Sequence, residues 1–441
     1  MNYPMQYPEA PDFNKLREQL VSYAQLKYEA GASEEFIQQI LDLAGKTLQD
    51  CLDTLRKLPE DEALRDNEPD HLNQIRLLRP KGEHALWQTF DRKAYMDQLK
   101  GALIGRFAGC TLGAPVEFWT VEAMREWAEY CGDAFPPEDY WSAAKNPSDL
   151  RYGMSKCQTY TRSGIKGVPV DDDVTYTLLG LLILEDSGIH FTVNEVGKAW
   201  LKYLPYACTA EEIALDNLRK NISAEKAAEH QNPYVQWIGA DIRSDPWGYV
   251  APGLPEKAAE LAWRDAFISH RRNGLYGAMY FSAVIAAAFA TRDVKQALEK
   301  GLAEIPLDCL LARDLRWALD IADTVLNYED ARQAVQKRFG GMSGVHTNLN
   351  ACLTVFGLLI GGDDFTKVIG EIVAMSYDND CTAATAGSIF GAAYGLSAIP
   401  EKWYRSFENT VYTYMNDQHE FKIDDVVSRF ADQAEAIFAS L

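Results

Sequence analysis

Residues 378–395 of the chain read DNDCTAATAGSIFGAAYG. Two carboxylates, Asp378 and Asp380, stand in a turn before a run that carries alanine, glycine, serine and threonine where a helix surface usually has bulk. A helix with so little bulk can approach a neighbouring helix closely, so its N-terminus can lie deep inside a domain. Buried acidic residues need a partner or a metal ion. The stretch therefore predicts a close-packed core helix that begins at an acidic site.

Segments of the same texture continue through the chain from about residue 93. They are apolar, rich in alanine and glycine and of helix length, and few show the period-two alternation of strands. Examples are residues 93–114, 174–186, 273–292 and 348–362. We expect an all-α fold in which residues 93–441 form one compact domain of many helices.

The first 92 residues differ from this pattern and are predicted to form an N-terminal helical extension. Apolar side chains recur at helical spacing over residues 13–24 and again over residues 36–55. Ser33, followed by two glutamates, suits the start of the second helix, and Pro59 suits its end. The acidic stretch 60–74 is typical of a linker or a short solvated helix.

Composition excludes several classes of protein. The chain has 441 residues, of which 47% are hydrophobic, and a formal net charge of -21, so nucleic acids and anionic membranes should repel it. Its eight cysteines form no CxxC pair, which removes support for a zinc or redox motif and favours reduced thiols in a cytoplasm. No signal peptide is evident, and no apolar run is expected to reach the length of a membrane helix.

A second acidic motif strengthens the prediction of a metal site. Asp171, Asp172 and Asp173 precede the apolar run 174–186. Three consecutive carboxylates repel one another, and a hard divalent cation offsets the repulsion better than a helix N-terminus does. Taken alone, the triplet could be a solvated acidic turn. Two acidic helix starts more than 200 residues apart together suggest a carboxylate site for two metal ions.

Other segments gain meaning from the order in which they occur. The run GALIGRFAGCTLGAPVE (101–117) is followed by VDDDV (170–174), IGADIR (238–243), SHRRNGLYGA (269–278) and YDNDCTAATAGSIFG (377–391). This order resembles the ADP-ribosylglycohydrolase family over residues 95 to 400. The family pattern is a Gly-rich helix ending in a glutamate turn, a TDDT-type motif, a GxxMR-like loop, a histidine before a glycine turn, and a DxDT motif on a small-residue helix.

The resemblance implies a site that binds two Mg²⁺ ions. Its ligands would be the members of the two acidic motifs: Asp171, Asp172, Asp173, Asp378, Asp380 and Cys381. Asp171 and Cys381 stand where many family members have threonine. A thiol is a poor magnesium ligand, and a water could take its place.

The resemblance also implies roles outside the two acidic motifs. Glu117 matches the glutamate that reaches the site from the first turn, and Cys110 replaces the aspartate that usually follows Gly109. Gly239 and His270 match the region that binds the diphosphate and the adenine.

The activity implied by the family is hydrolysis of the bond that joins ADP-ribose to a protein side chain, with arginine favoured over serine. Glu117, Asp172 and Asp380 would be the catalytic carboxylates, and Asp172 or Asp380 would accept the proton of the attacking water. A negative site suits the oxocarbenium-like transition state of such a reaction. The substrate could be a protein that a toxin has modified, or an acyl ester of ADP-ribose.

Two other interpretations remain open at this point. The chain could be an immunity-type protein whose N-terminal extension binds and blocks an ADP-ribosyltransferase toxin, or the extension could simply pack on the core. Alternatively, the chain could be an inactive structural relative, as Cys110 and Cys381 would allow. The four aspartates Asp172, Asp173, Asp378 and Asp380 argue against an inactive site, because mutually repelling carboxylates have no other physical reason to be kept together.

Overall fold

A computed structural model describes residues 13–44 and 48–441 of the chain. The regular elements of the described residues are almost all helices, which confirms the predicted all-α class. They divide into two compact units, one that ends at Asp66 and one that spans Asn67–Leu441.

The first unit contains four helices within its described residues: α1 Phe13–Glu29, α2 Glu34–Leu43, α3 Leu48–Arg56 and α4 Glu62–Asn67. The predicted helix over 36–55 is divided between α2 and α3, and residues 45–47 lie outside the described part. Apolar side chains of the first three helices form a small core of their own: Leu20, Tyr23, Ala24, Ile37, Ile40, Cys51, Leu52 and Leu55.

The second unit carries the remaining helices and two short antiparallel hairpins. Its helices are α5 Leu72–Leu78, α6 Arg92–Gly113, α7 Val121–Cys131, α8 Asp172–Ser187, α9 Val193–Tyr203, α10 Thr209–Arg219, α11 Ala224–Ala227, α12 Asp245–Val250, α13 Pro255–Ala266, α14 Arg272–Thr291, α15 Val294–Gly301, α16 Leu310–Ile321, α17 Tyr328–Arg338, α18 Thr347–Gly361, α19 Phe365–Ala374, α20 Asn379–Tyr394 and α21 Ile423–Ala439. The hairpins pair β1 Leu150–Arg151 with β2 Ser155–Lys156, and β3 Thr410–Tyr412 with β4 Glu420–Lys422.

Residues 67–92, which the sequence assigned to the N-terminal extension, pack within the second unit. Ile75 on α5 is fully buried in the main core. Arg79 donates from Nη1 to Glu304 Oε2 at 2.7 Å and from Nη2 to Glu256 Oε1 at 2.7 Å. Apolar burial and partly buried ion pairs thus tie this segment to the helices that follow it in sequence.

The helices α6 and α20 pack backbone against backbone, as their small residues predicted. A Cβ on Gly105 would lie 2.1 Å from the carbonyl oxygen of Gly387, and a Cβ on Gly113 would lie 2.4 Å from the Cα of Asp380. Only residues without a side chain fit at such distances. The last turn of α6 therefore lies directly against the first turn of α20, where the acidic motif begins.

Helix α14 corrects one expectation from the sequence. It is long and apolar enough to cross a membrane, so the prediction that no apolar run reaches that length is wrong. In the structure, 89% of the most apolar 18-residue segment of this helix is buried, and α13, α15 and α20 pack around it. A central helix of a large core passes the same length test as a membrane helix, because both are surrounded by apolar groups.

Candidate active site

The two acidic motifs form the starts of two helices. Asp171 is the N-cap of α8, and its Oδ1 accepts a hydrogen bond from the backbone N–H of Asp173 at 3.2 Å. Asp378 is the N-cap residue of α20, and Asp380 lies in the first turn. Carboxylates at these positions face the positive end of the helix dipole, which offsets part of their mutual repulsion.

A cavity of about 360 Å³ joins the two helix starts, which is a volume suited to a small ligand. Its wall combines carboxylates with aromatic and aliphatic side chains. The lining residues are Glu117, Phe118, Arg151, Tyr152, Asp172, Asp173, Tyr176, Cys208, Thr209, Glu211, Trp237, Ile238, Gly239, Ile242, Val345, Asp378 and Asp380.

Two sets of side chains in this region have the geometry of metal ligands. One ligand atom each from Glu117, Asp378 and Asp380 lie within 4.8 Å of one another, and so do atoms from Cys110, Asp171 and Asp173. We call these the oxygen group and the thiol-containing group. Glu117 reaches the first group because the chain leaves α6 through a 3₁₀ turn, Ala114–Val116, beside the start of α20.

One guanidinium lies between the two groups. Arg151, at the end of β1, donates from Nη1 to Glu117 Oε2 at 2.9 Å. Its Nη2 donates to Asp171 Oδ2 and to Asp380 Oδ2, each at 3.1 Å. Burial disfavours the charged guanidinium, but the contacts with three carboxylates outweigh burial and raise the pKa of Arg151, so the side chain stays protonated.

The residue after Arg151 orients another carboxylate. Tyr152 has a left-handed backbone, with φ 52°, and its hydroxyl donates to Asp172 Oδ1 at 2.6 Å. Its ring lies in a stack with Tyr206 and Tyr414, whose centroids are 6.5 and 5.5 Å away. The ring stack fixes the phenol, and the phenol in turn fixes the Asp172 carboxylate.

A second arginine supports the site from behind. Arg106, fully buried on α6, donates from Nη2 to the carbonyl oxygen and to Oδ1 of Asp173, at 2.7 and 3.1 Å. It also donates from Nη1 to Asp245 Oδ2 at 2.7 Å. Since this guanidinium is shared with a carboxylate outside the cavity, it compensates only part of the acidic charge.

Comparison with known proteins gives this arrangement a family. The profile of the ADP-ribosylglycohydrolase family matches residues 91–436. The chain belongs to the ADP-ribosylglycohydrolase family. A solved structure described as an ADP-ribosylglycohydrolase-related protein complex aligns with 79% of this chain and 99% of its own, at 19% sequence identity and a TM-score of 0.47. Among curated proteins, no match to the chain is found.

ADP-ribosylglycohydrolases hydrolyse a glycosidic bond of ADP-ribose and are metal-dependent. The donor chemistry of the oxygen group fits a hard divalent cation, because all of its ligand atoms are carboxylate oxygens. The thiol-containing group fits less well, since burial raises the pKa of the Cys110 thiol and a thiol is a soft donor. The acidic residues of this chain can therefore hold a metal ion of the kind that the family uses.

Burial raises the pKa values of several of these carboxyl groups. For Asp172, burial and the charge of Asp171 outweigh the hydrogen bond from Tyr152 and raise the pKa to about 7. Burial also raises the pKa values of Asp173 and Asp380, despite the nearby arginines. A bound cation would reverse these shifts, because it favours the ionised form of each ligand.

The structure places one of the two predicted substrate-binding residues at the cavity. Gly239 lines the cavity in the 3₁₀ turn Ile238–Arg243, and a Cβ there would lie 2.5 Å from the carboxylate of Glu211. His270 is fully buried and is not among the described lining residues. Its Nδ1 lies 2.8 Å from Ser269 Oγ, and burial lowers its pKa, so the imidazole is neutral.

Cys381, a predicted metal ligand, follows Asp380 in the sequence. Its side chain is buried and belongs to neither described ligand group. Burial raises the pKa of its thiol well above the usual value. A helix turns about 100° at each residue, so the side chains of consecutive residues point in different directions. The side chain of Asp380 reaches the cavity, and that of Cys381 is packed in the core.

Reasoning from the sequence missed four residues that the structure brings to the site: Arg151, Tyr152, Glu211 and Trp237. Arg151 and Tyr152 stand in a polar stretch with no periodic pattern, and Glu211 is one of two glutamates in the first turn of α10. Trp237 lies two residues before the predicted Gly239, but no feature of the sequence selects it from the other aromatic residues nearby. Without the fold, none of the four differs from an ordinary surface residue.

Proposed function

We propose that this protein is a magnesium-dependent hydrolase that removes ADP-ribose from modified protein side chains, with arginine favoured over serine. One observation carries the proposal, the convergence of carboxylates from two helix starts and one helix end on a single cavity. Its lining includes Glu117, Asp172, Asp173, Asp378 and Asp380, and the buried Asp171 joins them through Arg151. A site of this kind suits two roles, holding a hard cation and stabilising positive charge at a sugar carbon.

The residues that would hold the metal are those of the two ligand groups. Glu117, Asp378 and Asp380 form the all-oxygen set, and Asp171 and Asp173 supply oxygens nearby. When bound, such an ion polarises a substrate oxygen and lowers the pKa of a bound water. We propose two Mg²⁺ ions, since the carboxylates fall into two groups.

Asp172 is the side chain that we propose as the proton acceptor for the attacking water. It lines the cavity and belongs to neither described ligand group. The hydroxyl of Tyr152 holds one of its oxygens at 2.6 Å, so the carboxylate is fixed as a general base requires. A pKa of about 7 in the metal-free protein is consistent with this role.

The proposed preference for arginine rests on one further carboxylate of the cavity. Glu211 on α10 is buried and lines the cavity, and its Oε1 accepts no hydrogen bond within the described residues, the nearest cation being Arg243 Nε at 3.7 Å. The guanidinium of an ADP-ribosylated arginine is a cation that could donate to this oxygen, whereas a serine oxygen carries no charge. Glu211→Gln should therefore lower activity on arginine-linked ADP-ribose more than activity on serine-linked ADP-ribose.

The proposal is tested by release of ADP-ribose from arginine-modified and serine-modified proteins, with Mg²⁺ and then with a chelator. We expect Mg²⁺-dependent release, faster from arginine. Asp380→Asn should lower kcat by a factor of about 100 or more, because it removes a charge shared by the ligand set and the Arg151 pair.

Asp323→Asn is the matched control, since it makes the same change at an exposed residue of the same unit. It should turn over at the wild-type rate. Release that persists in the chelator, or full turnover by Asp380→Asn, would contradict the proposed metal site. Faster release from serine would leave the hydrolase in place and reject the preference for arginine.

A further inference from the structure

We propose that Arg151 is a built-in competitor of the metal ion. In the metal-free protein its guanidinium occupies the carboxylate oxygens that a divalent cation needs, and the cation binds by displacing it. This inference rests on the proposed function, because it requires that the carboxylates of the cavity are the metal site.

The contacts of Arg151 span both ligand groups. Nη1 binds Glu117 and Nη2 binds Asp380, which are two members of the oxygen group. The same Nη2 binds Asp171, a member of the thiol-containing group. A carboxylate lone pair that accepts a hydrogen bond from a guanidinium is not available to a metal ion, so the two cations compete for the same oxygens.

Arg151 is the positively charged side chain of the cavity wall. It is the only lysine, arginine or histidine among the described residues that line the cavity. Arg106 contacts Asp173 from the core side and is also paired with Asp245. The metal-free cavity therefore depends on Arg151 for its counter-charge, and the need for that counter-charge ends when a divalent cation arrives.

The local structure around Arg151 allows the side chain to leave. Its strand is two residues long, and the hairpin turn contains Gly153 with φ 66°. Leu150 and Met154 on this hairpin are about half exposed, at 54% and 48%. Apart from Tyr152, which its ring stack holds, the hairpin presents half-exposed side chains, so it can shift at lower cost than the helices that carry the carboxylates.

Not every donor of the Arg151 guanidinium has a hydrogen-bond acceptor within the described residues. Its Nε is buried and has no hydrogen-bond partner within the described residues. The guanidinium carbon lies 5.4 Å from the ring centroid of Tyr152 and 5.6 Å from that of Tyr160. These rings give a displaced guanidinium a cation–π surface beside the site, so the arginine can release the carboxylates without complete loss of its partners.

The test is the affinity of the full-length, chelator-treated protein for Mg²⁺, measured by isothermal titration calorimetry. Arg151→Met removes the competing cation and keeps much of the apolar stem. We expect it to bind Mg²⁺ about 10-fold or more tightly than wild type, because the apparent affinity of a site rises when a state that blocks it is removed. Arg162→Met is the matched control. Its guanidinium pairs with Asp133 and Asp139 at 3.1 and 3.0 Å, away from the ligand groups, so its Mg²⁺ affinity should equal that of wild type.

Equal or weaker binding by Arg151→Met would overturn the inference and leave the proposed hydrolase standing. Absence of Mg²⁺ binding by every variant would reject the metal site and the inference together. If Arg151→Met fails to fold, hydrogen–deuterium exchange of wild type decides the question. Mg²⁺ should speed exchange in residues 150–156 as the arginine is released, and unchanged or slower exchange there would overturn the inference.

Discussion

Two regions meet at the cavity and are built in opposite ways. One is the helical wall, which we define as the first turns of α8 and α20 with the last turn of α6. The backbones of α6 and α20 touch. Asp171 is fixed as the N-cap of α8, and the buried Arg106 donates a hydrogen bond to Asp173. The other is the hairpin 150–156, which has two-residue strands and half-exposed side chains.

The difference separates two tasks. The helical wall places negative charge where it cannot relax, because neither the backbones nor the buried side chains have room to move. The hairpin supplies Arg151 and Tyr152, which contact those carboxylates from two-residue strands whose main anchor is the ring stack of Tyr152. A rigid set of ligands and a movable counter-charge together form a site that can exist both without and with a metal ion.

The largest effect is expected from a side chain placed inside the helical wall. Gly105→Val would put a Cβ at 2.1 Å from the carbonyl oxygen of Gly387, on a backbone with no room to shift. We expect loss of about 4 kcal/mol or more in the free energy of unfolding, or no folded protein. Urea unfolding followed by circular dichroism measures this.

Gly340→Ala is the control for that substitution. Its Cβ would meet only the carbonyl oxygen of Gln336, at 3.5 Å, which is an ordinary contact. It should change the free energy of unfolding by less than about 1 kcal/mol. Normal stability of Gly105→Val would show that α6 and α20 can separate without cost, and would contradict the conclusion that the helical wall is rigid.

A smaller effect is expected from pH on the protein without metal. Burial raises the pKa values of Asp172 and Glu211 to about 7, well above their values in an unfolded chain. The folded state then binds more protons between about pH 4 and pH 7, so stability is present at low pH and is lost as pH rises through 7.

In chelator, the free energy of unfolding should fall by about 2–4 kcal/mol between pH 5 and pH 8. Urea titrations at the two pH values measure it, and saturating Mg²⁺ should reduce the part of the decline that comes from Asp172, which lies between two predicted ligands. Glu211→Gln should reduce the decline, since an amide does not titrate. Stability that rises over this range would contradict the raised pKa values.

The smallest effect is expected where the hairpin touches the proposed base. Tyr152→Phe removes the hydrogen bond to Asp172 and keeps the ring stack. We expect kcat to fall about tenfold, with a change of about 1 kcal/mol in the free energy of unfolding. Tyr206→Phe, which loses only a hydrogen bond to the backbone of Tyr152, is the control and should retain more activity. Equal kcat values for the two variants would argue against a positioning role for Tyr152.

The helical architecture was predictable because it depends on local pattern. The small-residue runs of α6 and α20 predicted close packing, which the glycine contacts confirm. The predicted segment 273–292 matches α14 to within one residue, but the expectation that no apolar run reaches the length of a membrane helix was wrong. The predicted helix over 36–55 was divided into α2 and α3.

The candidate site was predictable in its anions and not in its cation. The apolar or small-residue run that follows each acidic motif shows that a helix begins there. The sequence could therefore identify Asp171 to Asp173 and Asp378 to Asp380 as acidic residues at helix starts. Arg151 has no such mark, and its partners are up to 229 residues away in sequence. Cys381 and His270 were selected because they match positions of the family pattern. Both are buried and are not among the described residues that line the cavity.

By itself, the sequence determined which segments are helices, which helices can touch, and which of them begin with carboxylates, because all three depend on residue type at short spacing. Only the tertiary structure decided that the carboxylates meet at one cavity, that Arg151 bridges them, and that Glu211 lines the same cavity. Hydrogen bonds and metal coordination require atoms within about 3 Å of one another, so these charged groups can act together only after the fold has brought distant residues into contact.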